Sequence, residues 1–266
     1  MNIVVCVKYV PDATADRHFE DDHTVDRVGV DGLLSELDEY AVEQALQIKE
    51  SKDPDETTVT VLTVGPDDAT DAIRKSLQMG ADKGVHVVDD AIAGSDALAT
   101  SLVLAEAIRK LGDADGYDLV VCGMASTDGS MGVLPAMLAE RLGVPQLTMA
   151  SEINLTDGKA TIRRDGDAAT ETVEAQLPLV LSVTDQSGEA RYPSFKGIMA
   201  AKKKPVESWS LADLGVEAEK VGLSAAWSQV QGTEARPPRT QGEVVTDEDG
   251  SGAAKLTEFL ASKKFI

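Results

Sequence analysis

Gly123-Met124-Ala125-Ser126-Thr127-Asp128-Gly129-Ser130-Met131-Gly132 follows the apolar run Asp118–Cys122 and precedes a stretch of helical periodicity ending near Leu142. Glycines let a ligand approach the backbone, and hydroxyls donate hydrogen bonds. A helix N-terminus adds free N–H groups and the positive end of its dipole. That chemistry suits a phosphate or pyrophosphate. The loop has neither the Gly-Lys-Ser/Thr ending of a Walker A loop nor true GxGxxG spacing, and the same residues also make a plain turn between strand and helix. Ser35-Glu36-Leu37-Asp38 and Val64-Gly65-Pro66 stand at two further strand-to-helix junctions, and read as ligand contacts or as cap and turn. His18, His23 and His86 have no metal or triad spacing, and carboxylate pairs carry no specificity in a chain of 46 acids. No hydrolytic or acid–base centre is expected.

A different chemistry is concentrated in residues 191–204, Arg191-Tyr192-Pro193-Ser194-Phe195-Lys196-Gly197-Ile198-Met199-Ala200-Ala201-Lys202-Lys203-Lys204. They hold five of the 25 bases and no acid, in a chain of formal net charge −21. Tyr192, Phe195, Ile198 and Met199 among positive charges make the composition of a docking surface, with apolar anchors ringed by Arg191 and Lys196.

These segments need a scaffold, and the first two thirds of the chain spell one. Ile3–Val7, Thr58–Val64, Val85–Val88 and Asp118–Cys122 are short apolar runs. Amphipathic stretches follow at Asp38–Glu50, Asp67 or Asp68 to Met79, Ser95–Lys110 and Met131–Leu142. Four such βα units predict an α/β protein with a mostly parallel sheet and helices on both faces. Thr24–Val28 alternates as an edge strand or hairpin would. Ala150–Leu155, Ala160–Arg164 and Glu171–Gln176 read as a small antiparallel meander with Asp157-Gly158 and Asp165-Gly166 turns, and Leu179–Val183 as a last buried strand. From Pro205 no clear period runs for some 45 residues, through Arg236-Pro237-Pro238 and Asp247-Glu248-Asp249, before a short helix at Ala253–Ser262. The expected division is a domain of residues 1–204 and a C-terminal arm of 205–266 that lies on its own domain or on a partner.

Composition narrows the function classes. A surplus of acids, 46 against 25 bases, disfavours nucleic acid as a partner. No run reaches the roughly 18 apolar residues of a membrane span. Met1–Val10 reads as a buried first strand, without the basic region or cleavage site of a signal peptide. Cys6 and Cys122 sit inside strand-like runs as reduced, buried thiols, and the expected location is the cytoplasm. Acids are dispersed, with 15 in residues 11–56, and aromatics make 4% of the chain. That pattern suits a proteome adapted to high salt, such as that of a salt-adapted archaeon.

Together these residues resemble the β subunit of electron transfer flavoprotein, over residues 1 to about 217. Val7-Lys8-Tyr9-Val10 is similar to the family's Val-Lys-x-Val at the end of its first strand. Residues 35–45 resemble Asn-Pro-Phe-x-Glu-x-Ala-Val-Glu-Glu-Ala, with Ser35-Glu36-Leu37 in place of Asn-Pro-Phe. Gly65-Pro66 and Met79-Gly80-Ala81-Asp82 match a further pair of motifs. The most specific match is Glu-x-Arg-Tyr-x-x-x-x-x-Ile-Met-x-Ala-Lys-Lys-Lys, met by Glu189, Arg191, Tyr192, Ile198, Met199, Ala201 and Lys202-Lys203-Lys204.

The resemblance implies a Rossmann-like domain of the adenine-nucleotide-binding type. It also implies an αβ heterodimer with one redox-active FAD held mostly by the α subunit, the β subunit forming a wall near the flavin. The β subunit further buries AMP, or a second FAD in electron-bifurcating members. Nucleotide contacts then fall on Cys6, Ser35, Glu36, Leu37, Asp38 and Val64, and on the loop of Gly123, Ser126, Thr127, Asp128, Gly129, Ser130, Met131, Gly132 and Leu134. Partner recognition falls on residues 190–199, with Phe195 at the position of an aliphatic anchor. Implied partners are the α subunit, acyl-CoA or other flavin dehydrogenases, and a quinone oxidoreductase. The subunit is an electron carrier and not itself an enzyme. The rival expectation is a nucleotide sensor of universal-stress type, which has a similar sheet and phosphate loop but no flavin.

Overall fold

The computed structural model describes residues 1–234, 237, 242, 244–247 and 249–266. Arg236, Pro238 and Glu248 of the irregular segment lie outside the described residues. The chain divides into two compact units, Met1–Gln231 and Gly232–Ile266. The first begins with β1 (Asn2–Cys6), a two-stranded ribbon of β2 (Tyr9–Pro11) and β3 (Gly32–Leu34), and α1 (Glu36–Ser51). It continues through β4 (Thr58–Val64), α2 (Thr70–Met79), β5 (Lys83–Val87), α3 (Ala97–Asp115), β6 (Leu119–Gly123) and α4 (Leu134–Leu142). Then come β7 (Gln146–Thr156), β8 (Lys159–Asp165), β9 (Thr170–Gln176), β10 (Leu179–Val183), α5 (Phe195–Ala201) and β11 (Val206–Trp209).

Nine strands form one sheet in the order β11-β5-β4-β1-β6-β10-β7-β8-β9. From β11 to β7 every neighbouring pair is parallel; β8 and β9 continue from β7 antiparallel. Strand β7 therefore serves two partners, pairing with β10 through its first half and with β8 through its second. Alternation along the strands sends Ile3 and Val5 to one face and Val4 and Cys6 to the other. The first face joins Leu46, Ile73, Leu77 and Leu181 in a core under α1 and α2. The second joins Leu62, Ile108, Leu138 and Val180 under α3 and α4. Burying strands on both faces is what makes them near-continuous in Val, Ile and Leu.

The expected α/β fold with its meander is present, and the differences in detail have local causes. Residues 24–28 form no strand: Phe19 and Val25 share a single bridge, and the ribbon pairs Tyr9–Pro11 with Gly32–Leu34 instead. Asp12, Asp22 and Asp26 accept bonds from nearby backbone N–H groups, of Thr14, Thr24, and Val28 with Gly29. Such local bonds compete with a strand ladder. A 3-10 turn at Asp67–Ala69 precedes α2, and neither aspartate caps it. Asp96 caps α3 by accepting from the Ala99 N–H at 3.0 Å. The fourth helix starts at Leu134 and not at Met131, because Ser130 and Gly132 have left-handed backbone, with φ of 51° and 66°.

The body also continues past Pro205. Val206–Trp209 adds to the sheet beside β5, and Leu211, Val216 and Val221 are buried in the second core. A four-residue strand is too short to show a period. In the second unit α6 (Gly252–Ser262) leaves Leu256 and Phe259 exposed, and none of the unit's described residues is buried.

Candidate functional site

Strand β1 stands between β4 and β6, and the chain winds outward from it in both directions, so the sheet's switch point lies at the carboxyl ends of β1 and β6. Past the end of β1, the Lys8 N–H donates to Asp38 Oδ2 at 2.8 Å, and the Ser35 N–H donates to the Lys8 carbonyl at 2.9 Å. Past the end of β6, the loop 126–130 is held by cations reaching from the other side. Lys8 Nζ lies 2.9 Å from Asp128 Oδ1 and 3.4 Å from Ser126 Oγ. Arg27 Nη2 donates to Asp128 Oδ2 at 2.7 Å, and Arg17 Nη1 to the Thr127 carbonyl at 3.0 Å.

Two buried carboxylates behave oppositely here. The Asp128 side chain is 3% exposed. Burial pushes its carboxyl up, but the Lys8 charge and hydrogen bonds from Lys8, Ser126 and Arg27 outweigh that and hold it well below the ordinary range. Asp38 is buried with less compensation. Burial pushes it up to about 7, against the Lys8 and Gly123 backbone N–H groups and the Lys8 charge. Gly123 is required by this packing: a Cβ there would stand 2.5 Å from Asp38 Oδ1 and 2.7 Å from the Leu37 carbonyl oxygen.

One polar atom at this edge is unsatisfied. Ser35 occupies the cap position of α1 but makes no side-chain cap bond, and its buried Oγ has no partner among the described residues. A buried, unpaired hydroxyl costs about 1–3 kcal/mol, which a bound polar group would recover. On the outer side of the loop, Arg17, His18, Phe19, Val25, Thr127, Asp128 and Ser130 line a cavity of about 390 Å³. The Phe19 ring, the Arg17 guanidinium and the Thr127 and Ser130 hydroxyls there suit a flat heteroaromatic ring.

Of the sequence-predicted nucleotide contacts, the fold brings together Ser35, Leu37 and Asp38 with Gly123, Ser126, Thr127, Asp128, Gly129 and Ser130. Cys6 lies buried in the second core, Val64 and Leu134 pack against it, and Glu36 and Met131 are exposed. Sequence reasoning passed over Lys8, Arg17 and Arg27 as site residues. The available signal was their charge, since Arg17 and Arg27 are bases inside the acid-rich stretch 11–56. His86 is a satisfied core residue, its Nε2 3.0 Å from the Gly65 carbonyl oxygen. Among the described residues no cluster suits a metal ion, and no helix is long and apolar enough to cross a membrane.

The segment 191–204 is built differently. Arg191 makes a fork on α1, with Nε 2.7 Å from Glu43 Oε2 and Nη1 2.5 Å from Glu50 Oε1, while its N–H also donates to Glu43. Burial pushes the Glu43 carboxyl up, but bonds from Arg191 and Gln47 bring it below its ordinary value. At the other end Lys204 Nζ donates to the carbonyls of Leu77 and Ala81, and burial lowers its pKa. Ser194 caps α5 by accepting from the Gly197 N–H at 3.0 Å, and Gly197 lies so close to α2 that a Cβ would meet the Gln78 carbonyl oxygen at 2.4 Å. Between these clamps Tyr192 is 91% and Phe195 81% exposed, with Ile198 and Met199 also open.

The sheet carries a polar, glycine-rich cradle at its switch point and an outward apolar platform, and residues 22–214 match the electron transfer flavoprotein domain. The chain is 49% identical to the electron transfer flavoprotein subunit beta of Mycobacterium tuberculosis (strain ATCC 25618 / H37Rv), over 100% of this chain and 99% of that one. It is 34% identical to the corresponding subunit of Megasphaera elsdenii, over 100% of both. It is 35% identical to the caffeyl-CoA reductase-Etf complex subunit CarD of Acetobacterium woodii, over 99% of this chain and 97% of that one. The chain belongs to the electron transfer flavoprotein family, among its β subunits.

Proposed function

We propose that this chain is the β half of an αβ heterodimer that carries electrons from acyl-CoA or other flavin dehydrogenases, through FAD, to a quinone-linked acceptor in the cytoplasm. The observation that carries this reading is the clamped platform: Arg191 and Lys204 hold α5 down while Phe195 stays uncovered. Exposed aromatic surface held rigidly binds a partner at little entropic cost. Phe195 and Tyr192 are the anchors, flanked by Ile198, Met199 and Lys196, and Arg191 is a positioning residue. Where salt is high the Debye length falls to roughly 3 Å at 1 M, so the apolar anchor outweighs steering by lysines.

FAD held mainly by the α subunit supplies the redox chemistry. Phe19, Arg17 and His18 would form this subunit's wall beside the ring. The cradle of Ser35, Asp38, Gly123, Ser126 and Thr127 would hold an adenine nucleotide, its unpaired Ser35 hydroxyl taking a polar contact. AMP is the nucleotide expected, and a second FAD the alternative. The segment Gly232–Ile266, with no buried residue of its own described, would pack on the α subunit. Counting flavin and AMP in the purified heterodimer tests the reading: one FAD and one AMP support it. Two flavins would replace AMP by a second FAD, and a colourless homodimer retaining ATP would overturn it in favour of a sensor.

A further inference from the structure

Cys6 and Cys122 are the only two cysteines of the chain, and both are free and buried. Strands β1 and β6 pair Ile3 with Leu119, Val4 with Val120 and Val5 with Val121, so the next rung sets Cys6 beside Cys122. Alternation turns both side chains to the same face, and both belong to the core under α3 and α4. Neighbouring strands lie about 4.7–4.9 Å apart, within the roughly 4.4–6.8 Å between Cα atoms that a disulfide spans. The proximity of Cys6, together with burial, pushes the Cys122 thiol up. Each cysteine also adjoins the switch point. Lys8 and Gly123, whose N–H groups both reach Asp38, follow Cys6 by two residues and Cys122 by one.

We propose that Cys6 and Cys122 form a dithiol site beneath the carboxyl-edge cradle, which a small disulfide oxidises to an intramolecular bond. The Cys6 thiolate attacks one sulfur of the small disulfide, giving a mixed disulfide and releasing one thiolate. Cys122, after losing its proton, attacks Cys6 Sγ and expels the second. The two protein thiols give up two electrons and two protons, and the small disulfide leaves as two thiols. A bond at this rung ties the end of β1 to the end of β6 directly under Asp38. The inference rests on strand register and not on the bound cofactor, so it stands or falls apart from the flavin reading.

The test uses the full chain, incubated with excess oxidised glutathione at mildly alkaline pH, then unfolded for thiol titration and intact mass. The expected result is loss of both thiols, a mass lower by two hydrogens, and a disulfide-linked peptide pair containing Cys6 and Cys122. Cys6→Ser and Cys122→Ser chains should form no such link. Phenylarsine oxide, which bridges paired thiols, is a second and smaller probe, expected to add one arsenic per native chain and none to either variant. Persistence of both thiols together with absence of a bridged arsenic would overturn the site, as would two separate glutathione adducts.

Discussion

At the carboxyl edge of the sheet, Lys8, Arg17 and Arg27 are turned inward onto Asp128 and Thr127, so that a glycine and hydroxyl loop is pinned at the switch point. In residues 191–204, Arg191 and Lys204 are also turned inward, yet what they hold outward is Tyr192 and Phe195. Charges act as clamps in both regions. The difference lies in what is clamped. Around Gly123 the cradle is dense, its backbone pressed against Asp38 and Leu37, so it should tolerate change there poorly. The platform makes few contacts of its own, so its surface should change at little cost to folding.

The strongest break of that contrast is Gly123→Ala. The added Cβ meets Asp38 Oδ1 and the Leu37 carbonyl oxygen within 2.7 Å; the second is backbone, and the Asp38 carboxylate is held by the Lys8 and Gly123 N–H groups. Overpacking of this kind costs about 1–3 kcal/mol, and this site should lie at the upper end. Chemical denaturation should show the loss, and the purified protein should retain less nucleotide. Wild-type stability would mean that the cradle gives way more easily than its packing suggests.

Arg191→Ala comes next. It leaves Glu43 buried beside Glu50 without its cation, and hydrogen bonds to charged groups contribute about 1.5–3 kcal/mol. A loss of about 2 kcal/mol is expected, with the Glu43 carboxyl rising toward its ordinary value in a titration followed by NMR. Arg191→Lys should recover only part, since an ammonium cannot span both carboxylates as the planar fork does.

These two residues also show what could be read in advance. The cradle loop was legible because its signal is local: glycines and hydroxyls between an apolar run and a helix. Tyr192 and Phe195 were legible because aromatics among bases stand out in an acidic chain. Lys8 was not, since its partner Asp128 is 120 positions away and only the sheet order brings them together. Nor was the clamping role of Arg191, whose partner Glu43 is 148 positions away. Composition marks a cation but not whether it faces solvent or a buried acid.

Asp38→Asn sharpens the comparison within the cradle. Below about pH 4 the Asp38 carboxyl is neutral in both folded and unfolded chains. As pH rises toward about 7 the unfolded chain ionises while the folded one keeps its proton, which disfavours folding by up to about 1.4 kcal/mol per unit. Asparagine does not titrate, so the variant should gain stability relative to wild type between those values and no more above them. Asp128 has the opposite sign, its stabilisation being lost only as pH falls below the ordinary carboxylate range. A difference between Asp38→Asn and wild type that is flat with pH would show that Asp38 is ionised throughout.

Phe195→Ala should have the smallest effect on stability and a specific effect on transfer. The ring is 81% exposed, and exposed positions away from caps and cores usually change stability by no more than about 0.5 kcal/mol. Removing an interface anchor typically costs about 2 kcal/mol of binding, roughly thirtyfold. The heterodimer should keep its FAD while its reduction by a dehydrogenase, followed by stopped flow at subsaturating partner, slows by an order of magnitude or more. Tyr192→Ala, at a still more exposed ring, should behave likewise but less strongly if Phe195 is the anchor. Unchanged rates in both would leave the platform without a partner role, and equal loss of stability at Phe195 and Gly123 would erase the distinction between a surface held for others and a cradle packed for a ligand.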